Sequence, residues 1–322
     1  SDDVSQNALS AFIGAFIYSI VALIALKNSY YEKAGRFILF LVTVSIFAIV
    51  ILNFIKWIDR IARLGRLGPT IDKVEEVTAD ALRRRRQAPT LGGKRAQGEA
   101  EGIPIYPDLI GYVQRIDVPQ LQSFAERDGL DITVACLPGT FATPDKALAC
   151  VRSEASGSGE MDFSGIAQAF VIGKDRVFVE DPRFGLVVLS EIASRALSPA
   201  VNDPGTAIDI IGSFIRLFTL WVEEDRQNEG LDVVFDRVAV PELSLDDMFD
   251  DAFNAISRDG AGTIEVGIRL QKAFNTLASL GDGEMEEASR SHANLAFHYA
   301  ERALQLPEEV EALKAVCRLM NS

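Results

Sequence analysis

Two long runs of apolar residues open the chain. The first extends from Ala8 to Leu26 and the second from Phe37 to Ile55, and neither contains a charged residue. Since about 20 apolar residues in a helix cross a bilayer core of ~30 Å, both runs are predicted to be transmembrane helices. Together they form a hairpin over residues 1–57, with spans at 8–26 and 37–57. The lipid bilayer is therefore the first predicted partner of this chain.

Charge is distributed unequally on the two sides of the second run. Residues 56–95 hold eleven Lys and Arg against five Asp and Glu, whereas the connector between the runs carries only Lys27, Lys33 and Arg36 as basic residues. Because basic residues favour the cytoplasmic side of a membrane, the region after Trp57 is predicted to be cytoplasmic. The expected topology is multi-pass.

An apolar stripe at helical spacing continues through residues 58–86, and basic residues accompany it. We interpret this segment as an amphipathic basic stalk helix, interrupted near Gly65, Gly68 and Pro69. Arg60, Arg63 and Arg66 lie next to the membrane boundary. These arginines are predicted either to contact lipid headgroups or, in a symmetric oligomer, to line the mouth of a pore.

The rest of the chain has the pattern of an α+β protein. Residues 87–102 are rich in glycine and lack periodicity, which favours a flexible linker. Residues 103–152 alternate strand and helix signals and predict a small β-α-β-β module. Residues 153–322 are predicted to form a mainly helical domain, including a very apolar helix over 205–224. Asp209 and Arg216 in that helix indicate a buried helix and not a third span, since charges are costly in a bilayer.

Two Asp-Pro pairs precede long apolar segments in the helical region. Asp181-Pro182 and Asp203-Pro204 match the pattern of an N-cap residue followed by proline at the first helical position. The intervening Ser198-Pro199 is expected to end the preceding helix. The run from Arg195 to Ala207 is thus predicted to be a tight joint between two helices, with Asn202 and Thr206 beside the second cap.

Composition narrows the range of functions. From Ile103 onward there are 18 Lys and Arg against 36 Asp and Glu, a balance that disfavours nucleic-acid binding. Cys136, Cys150 and Cys317 lack metal spacing and fit buried thiols in a reducing compartment. No catalytic, cofactor-binding or metal-binding constellation emerges, and we expect no cofactor and no enzyme activity. A divalent cation bridging aspartates four apart at 246–251 is a weak alternative to a solvated face, and a zinc site at His292 and His298 is disfavoured by their spacing.

Several segments resemble one bacterial family of predicted membrane proteins, domain-of-unknown-function family 2254. The similar segments are the helix joint from Ala196 to Ala207, the Asp181-Pro182-Arg183-Phe184-Gly185 sequence, the strand from Gly111 to Asp117 and the turn from Leu137 to Phe141. The resemblance implies about four transmembrane helices in the complete protein, two of them upstream of this chain. It implies no enzyme activity.

Three functional hypotheses follow from these observations. The first is an oligomeric inner-membrane protein, an ion channel or transporter whose cytoplasmic domain assembles or gates the membrane part. The second is a membrane-tethered sensor or scaffold that binds a cytoplasmic partner. The third, a membrane-bound hydrolase, requires Glu180, Asp181 and Asp203 to converge in a cleft.

Overall fold

The computed structural model describes residues 2–27, 33–64, 68–98, 100–153, 163–227, 233–281 and 283–318. The chain divides into two compact units, Ser1–Thr70 and Ile71–Ser322. The first unit contains the helical hairpin. Within the described residues, the second contains two β-sheets and a mostly helical C-terminal part. The prediction of an α+β region after the hairpin is therefore confirmed.

The first unit is a pair of long helices, α1 (Asp2–Lys27) and α2 (Lys33–Leu64). Their described apolar side chains are mostly exposed, as expected for a surface that faces lipid. The hydroxyl groups of Tyr18 and Thr43 lie 3.1 Å apart across the pair, and the Phe12 and Phe54 rings meet edge to face. These contacts hold the two helices together as a hairpin.

Two helices in the described residues are long and apolar enough to cross a membrane. One stretch is Gly35–Ile55 in α2, and the other is Pro204–Glu223 in the second unit; α1 carries a shorter apolar stretch at Phe12–Ile24. None of the α2 stretch is buried, whereas 44% of the Pro204–Glu223 stretch is buried inside the protein. The first matches the predicted second span, and the other has the burial of a core helix.

Helix α3 (Gly68–Gln87) follows the hairpin in the chain. It buries Ile71, Thr78, Ala81, Leu82 and Arg85 within the second unit. The prediction of a single stalk over 58–86 is therefore wrong from Gly68 onward. The apolar stripe of α3 covers the core of the α+β region, because apolar side chains are more stable there than in water.

The strands form two sheets. Their bounds are β1 (Gly93–Arg95), β2 (Ile103–Ile105), β3 (Gly111–Ile116), β4 (Leu130–Val134), β5 (Phe141–Ala142), β6 (Ala149–Ser153), β7 (Phe170–Gly173) and β8 (Phe235–Val240). One sheet has the order β1-β8-β4-β6-β2, in which β8 runs parallel to both of its neighbours, and the other has the order β5-β3-β7. Helices α4 (Val118–Asp128) and α5 (Ser164–Gln168) cover this part of the fold.

Two boundaries predicted from the sequence are wrong. Residues 87–102 were predicted as a flexible linker but contain β1, whose neighbour β8 lies far along the chain. The predicted module at 103–152 is not separate, because β7 and β8 both follow residue 153 and pair with β3 and β4. Its apolar core accordingly includes Phe170, Val238 and Val240.

Six helices complete the second unit. They are α6 (Pro182–Ala196), α7 (Pro204–Gln227), α8 (Leu245–Asp259), α9 (Ile264–Leu280), α10 (Gly283–Ala303) and α11 (Pro307–Arg318). Phe214 and Phe218 of α7 pack against Phe249 and Phe253 of α8, with ring centroids 4.5–5.8 Å apart. Because these rings are fully buried, α7 is a core helix of the second unit, as the sequence indicates.

Candidate functional site

Asp181 is the centre of a buried polar cluster in the second unit. Its side chain is 2% exposed and caps α6, accepting a hydrogen bond of 3.1 Å from the Phe184 amide. Both of its oxygens also accept hydrogen bonds from Arg176, at 2.7 and 3.0 Å. A bidentate pair of this kind is stronger than a single ionic contact. The predicted cap at Asp181-Pro182 is confirmed.

Gly139 lies in the turn at Leu137–Phe141 and brings that turn to the Asp181 carboxylate. Its φ is +92°, a left-handed conformation that favours glycine. A Cβ atom at this position would overlap the Asp181 carboxylate. The turn at Leu137–Phe141 and the start of α6 are therefore held in direct contact, which neither sequence segment predicts alone.

Arg85 of α3 lies buried beside this cluster. It is 4% exposed, and neither terminal nitrogen of its guanidinium has a hydrogen-bond partner among the described residues. Burial lowers the pKa of Arg85 to about 10, although the nearby charges of Glu180 and Asp181 oppose that shift. Its charge is thus balanced by the acidic residues at the start of α6 without direct hydrogen bonds.

A very close approach joins α3 to α6. A Cβ atom at Gly185 would overlap the side chain of Thr78, whose hydroxyl donates a 2.6 Å hydrogen bond to the Val74 carbonyl. Because residue 185 is a glycine, the backbone of α6 can approach the Thr78 side chain of α3 closely. Phe184 lies alongside, with its ring 4.6 Å from that of Phe178.

A second set of contacts joins α3 to α7. Arg216 donates hydrogen bonds to both oxygens of Glu75, at 2.6 and 2.7 Å. The Arg86 guanidinium lies 4.2 Å from the centre of the Trp221 ring, a cation–π contact. Helix α3 is thus attached to α6 at one point and to α7 at two others.

The joint between α6 and α7 has the predicted form. Helix α6 ends at Ala196, and the Ser198 carbonyl accepts hydrogen bonds from the Val201 and Asn202 amides. Asn202 adopts a left-handed φ of 49°, and the Asp203 carboxylate then accepts hydrogen bonds from the Thr206 amide and hydroxyl, at 3.2 and 2.6 Å. These hydrogen bonds lower the pKa of Asp203. Arg195 and Pro199 are exposed, whereas Ala207 is fully buried.

Comparison with known proteins now identifies the family. A family model described as "Predicted membrane protein (DUF2254)" matches residues 1–276, which include the hairpin, the Asp181 cluster and the helix joint. The chain belongs to this family. The resemblance noted in the sequence is therefore confirmed.

Relatives with similar sequences come from mycobacteria. The uncharacterized protein MT1328 of Mycobacterium tuberculosis (strain CDC 1551 / Oshkosh) is 35% identical over 115 residues, and these cover 35% of this chain and 22% of that relative. The uncharacterized protein Mb1321c of Mycobacterium bovis is 34% identical over the same coverage. The matched segment is thus less than a quarter of each relative's length. No solved structure matches the chain.

The carboxylates named for a hydrolase do not share a site in this DUF2254 protein. Asp181 and Asp203 cap the starts of successive helices, and the 15-residue α6 that separates them is ~22 Å long. Asp181 is bound to Arg176, and the pKa of Asp203 is lowered, not raised. The convergence that the hydrolase hypothesis requires is not found at these residues.

The acidic residues of α8 have protein partners. Arg183 donates to the carboxylates of Asp247 and Asp251, at 2.6 and 2.5 Å. Asp250 lies 3.0 Å from Nε2 of the buried His292. The Arg183 guanidinium thus lies between Asp247 and Asp251, one of the two pairs considered for a bridging cation, and the described residues contain no group of three or more His, Cys, Asp or Glu that could hold a metal ion.

The arginines predicted at the membrane boundary lie mainly outside the description. Arg60 and Arg63 belong to α2, but their side chains are outside the described residues, and Arg66 is outside them altogether. Their assignment to a pore mouth or to headgroup contacts stays a prediction.

Sequence reasoning missed the contribution of α3 to the site. The predicted stalk includes Thr78, Glu75, Arg85 and Arg86, and no sequence signal points to Arg176. The available signal was the run of four arginines from Arg83 to Arg86 at the end of an amphipathic helix. The role of this run could not be predicted locally, because its tertiary contacts are with α6 and α7. These helices begin 95 or more positions further along the chain.

Proposed function

We propose that this chain belongs to an oligomeric ion channel or transporter of the bacterial inner membrane. In this proposal the second unit is cytoplasmic and acts as an assembly or gating domain. The observation that supports it best is the attachment of α3, which follows the hairpin after residues 65–67 and is held to α6 and α7 by the contacts of Gly185, Arg216 and Trp221.

If the protein forms a pore, the hairpin is an argument for an oligomer. Two helices cannot enclose a pore by themselves, so a pore built from this unit needs several copies or further helices. Closed cyclic symmetry is the usual arrangement of identical subunits. A ring of Arg60, Arg63 and Arg66 side chains would then favour anions at the cytoplasmic mouth.

Ion flux through liposomes tests the proposal. The complete reading frame is reconstituted in its natural form and with Arg60, Arg63 and Arg66 all changed to Gln. We expect anion-selective flux in the natural protein and a loss of that selectivity in the variant. Arg302→Gln, in the second unit, is the control and is expected to leave selectivity unchanged.

A second experiment tests the role of α3. Arg216→Gln removes the pair with Glu75 and is expected to alter the rate of flux without altering its selectivity. Arg258→Gln is the matched control, because Arg258 is similarly exposed and its ion pair within the described residues is with its neighbour Asp259. Absence of flux in a well-folded oligomer would contradict the channel proposal.

The alternative function is a membrane-tethered sensor or scaffold. The observation in its favour is a cavity between the last three helices of the second unit, described below. If the spans only anchor the protein, their replacement by an unrelated anchor should preserve function in cells that lack the natural gene. No enzyme activity is part of either proposal.

A further inference from the structure

A cavity of about 610 Å³ opens between α9, α10 and α11. We call it the α9–α11 cavity. Its volume lies within the range of small-molecule binding sites, roughly 300–1,000 Å³. It is lined by Gln271, Asn275, Ala278, Ser279, Glu286, Arg290, Ala293, Asn294, Phe297, Lys314 and Cys317.

The walls of the cavity are fixed by two buried contacts. Leu313 of α11 is fully buried and lies over Gly267, where an added Cβ would sit at an ordinary contact distance of 3.5 Å. Gln271 of α9 is 1% exposed, and its amide nitrogen donates a 2.9 Å hydrogen bond to the Ala293 carbonyl of α10. The three helices are therefore held around a preformed space.

Three carboxamide groups line this space and have donors or acceptors that make no hydrogen bond within the described residues. Gln271 uses one donor in its bond to Ala293, and Asn275 and Asn294 make no side-chain hydrogen bond within the described part of the chain. Each carboxamide offers two N–H donors and one carbonyl acceptor. Asparagine and glutamine pair through both groups with the edge of adenine.

An aromatic ring and two cations complete the lining. Phe297 is partly buried and provides a surface on which a planar base stacks. Arg290 lies 2.6 Å from Glu286, and Lys314 lies 3.3 Å from Glu311 and 3.6 Å from Glu301. Guanidinium and ammonium groups are the usual protein partners of phosphate.

We propose that the α9–α11 cavity binds an adenine nucleotide. The carboxamides of Asn275, Asn294 and Gln271 recognise the base edge, Phe297 stacks on the base, and Arg290 and Lys314 bind the phosphate. Glu286 opposes phosphate binding, because it repels the anion and already pairs with Arg290. The site does not depend on the proposed channel function, since its residues all belong to α9–α11.

Calorimetric titration of the full chain in detergent micelles with AMP tests this assignment. We expect saturable binding of one AMP per chain, with adenosine at least about tenfold weaker because it lacks the phosphate. Arg290→Gln is expected to weaken AMP binding about tenfold or more, and Phe297→Ala by a similar factor through loss of stacking. The control Arg302→Gln changes the same residue type on α10 outside the cavity and should bind AMP like the natural chain.

Glu286→Gln provides the most discriminating variant. It frees Arg290 and removes the nearby negative charge, so AMP should bind more tightly than to the natural chain. Weaker binding in this variant would overturn the assignment of an anionic ligand. The proposal is also overturned if AMP does not bind, or if inorganic phosphate alone binds as tightly as AMP. None of these outcomes affects the flux experiment, so the two proposals fail independently.

Discussion

At the scale of residues, the Asp181 cluster concentrates charge in the protein interior. One buried carboxylate caps α6, binds Arg176 and lies near the buried Arg85. Ions removed from water are stable only where opposite charges and hydrogen bonds replace the lost hydration. Asp181 therefore compensates two arginines at once, and its negative charge matters more than its capping oxygen.

Asp181→Asn separates these two contributions, because asparagine caps helices about as well as aspartate. We expect a loss of about 3–5 kcal/mol in the free energy of unfolding, since the half-buried Arg176 loses its bidentate partner and the buried Arg85 loses one of its two nearby acidic charges. Asp203→Asn is the matched control at the next cap and should cost less than about 0.5 kcal/mol, because Asp203 has no arginine partner in the described structure. Chemical unfolding followed by Trp221 fluorescence measures both variants, and equal losses would contradict the assigned role of Asp181.

At the scale of elements, local signals in the sequence predicted the helix boundaries well. Asp-Pro pairs identified the starts of α6 and α7, because capping involves residues only three positions apart. Strand β1 was missed, since its three residues pair with β8 and carry no periodic signal of their own. The charged residues of α7 identified it as a core helix, but nothing local to Arg216 showed that its partner would be Glu75 of α3.

The contact between α3 and α7 should weaken in acid. Hydrogen bonds from Arg216 lower the pKa of Glu75 below its ordinary value of 4.5. A carboxylate with a lowered pKa stabilises the fold above its ordinary pKa, and that stabilisation disappears as the pH falls through the lowered value. Glu75→Gln should therefore cost stability at pH 7, and that cost should shrink as the pH falls below the ordinary pKa of 4.5.

The expected cost at pH 7 is below about 1 kcal/mol, because the Arg216 side chain is 62% exposed and water screens the pair. Glu76→Gln is the matched control on the same helix, where the partner Lys73 is 69% exposed and separated by one helical turn. Thermal unfolding of both variants between pH 3 and pH 7 measures the difference. A cost of Glu75→Gln that does not change with pH would exclude this explanation.

At the scale of the whole molecule, the chain combines a hairpin with exposed apolar side chains and a unit that has its own core. The second unit buries the apolar face of α7 completely at Ile210, Ile211 and Phe214. Membrane attachment of the chain is thus expected from the first unit alone. The hairpin was predictable because uninterrupted apolar runs of this length have few other uses in proteins.

Removal of residues 1–70 tests this division. We expect residues 71–322 to be recovered from the soluble fraction as a folded protein, with a single unfolding transition and no requirement for detergent. The chain with its hairpin should remain in the membrane fraction. Aggregation of residues 71–322, reversed only by detergent, would show that α7 or another apolar surface needs lipid.

The parallel pairing of β1 with β8 has a consequence for synthesis on the ribosome. About 140 residues separate Arg95 from Phe235, so at ~5–20 residues per second β1 waits roughly 7–28 s for its partner to be made. Helices α6 and α7, which hold α3, are also completed after the hairpin has left the ribosome. Insertion of the hairpin into a membrane is therefore expected to begin before α3 has met its partners in α6 and α7.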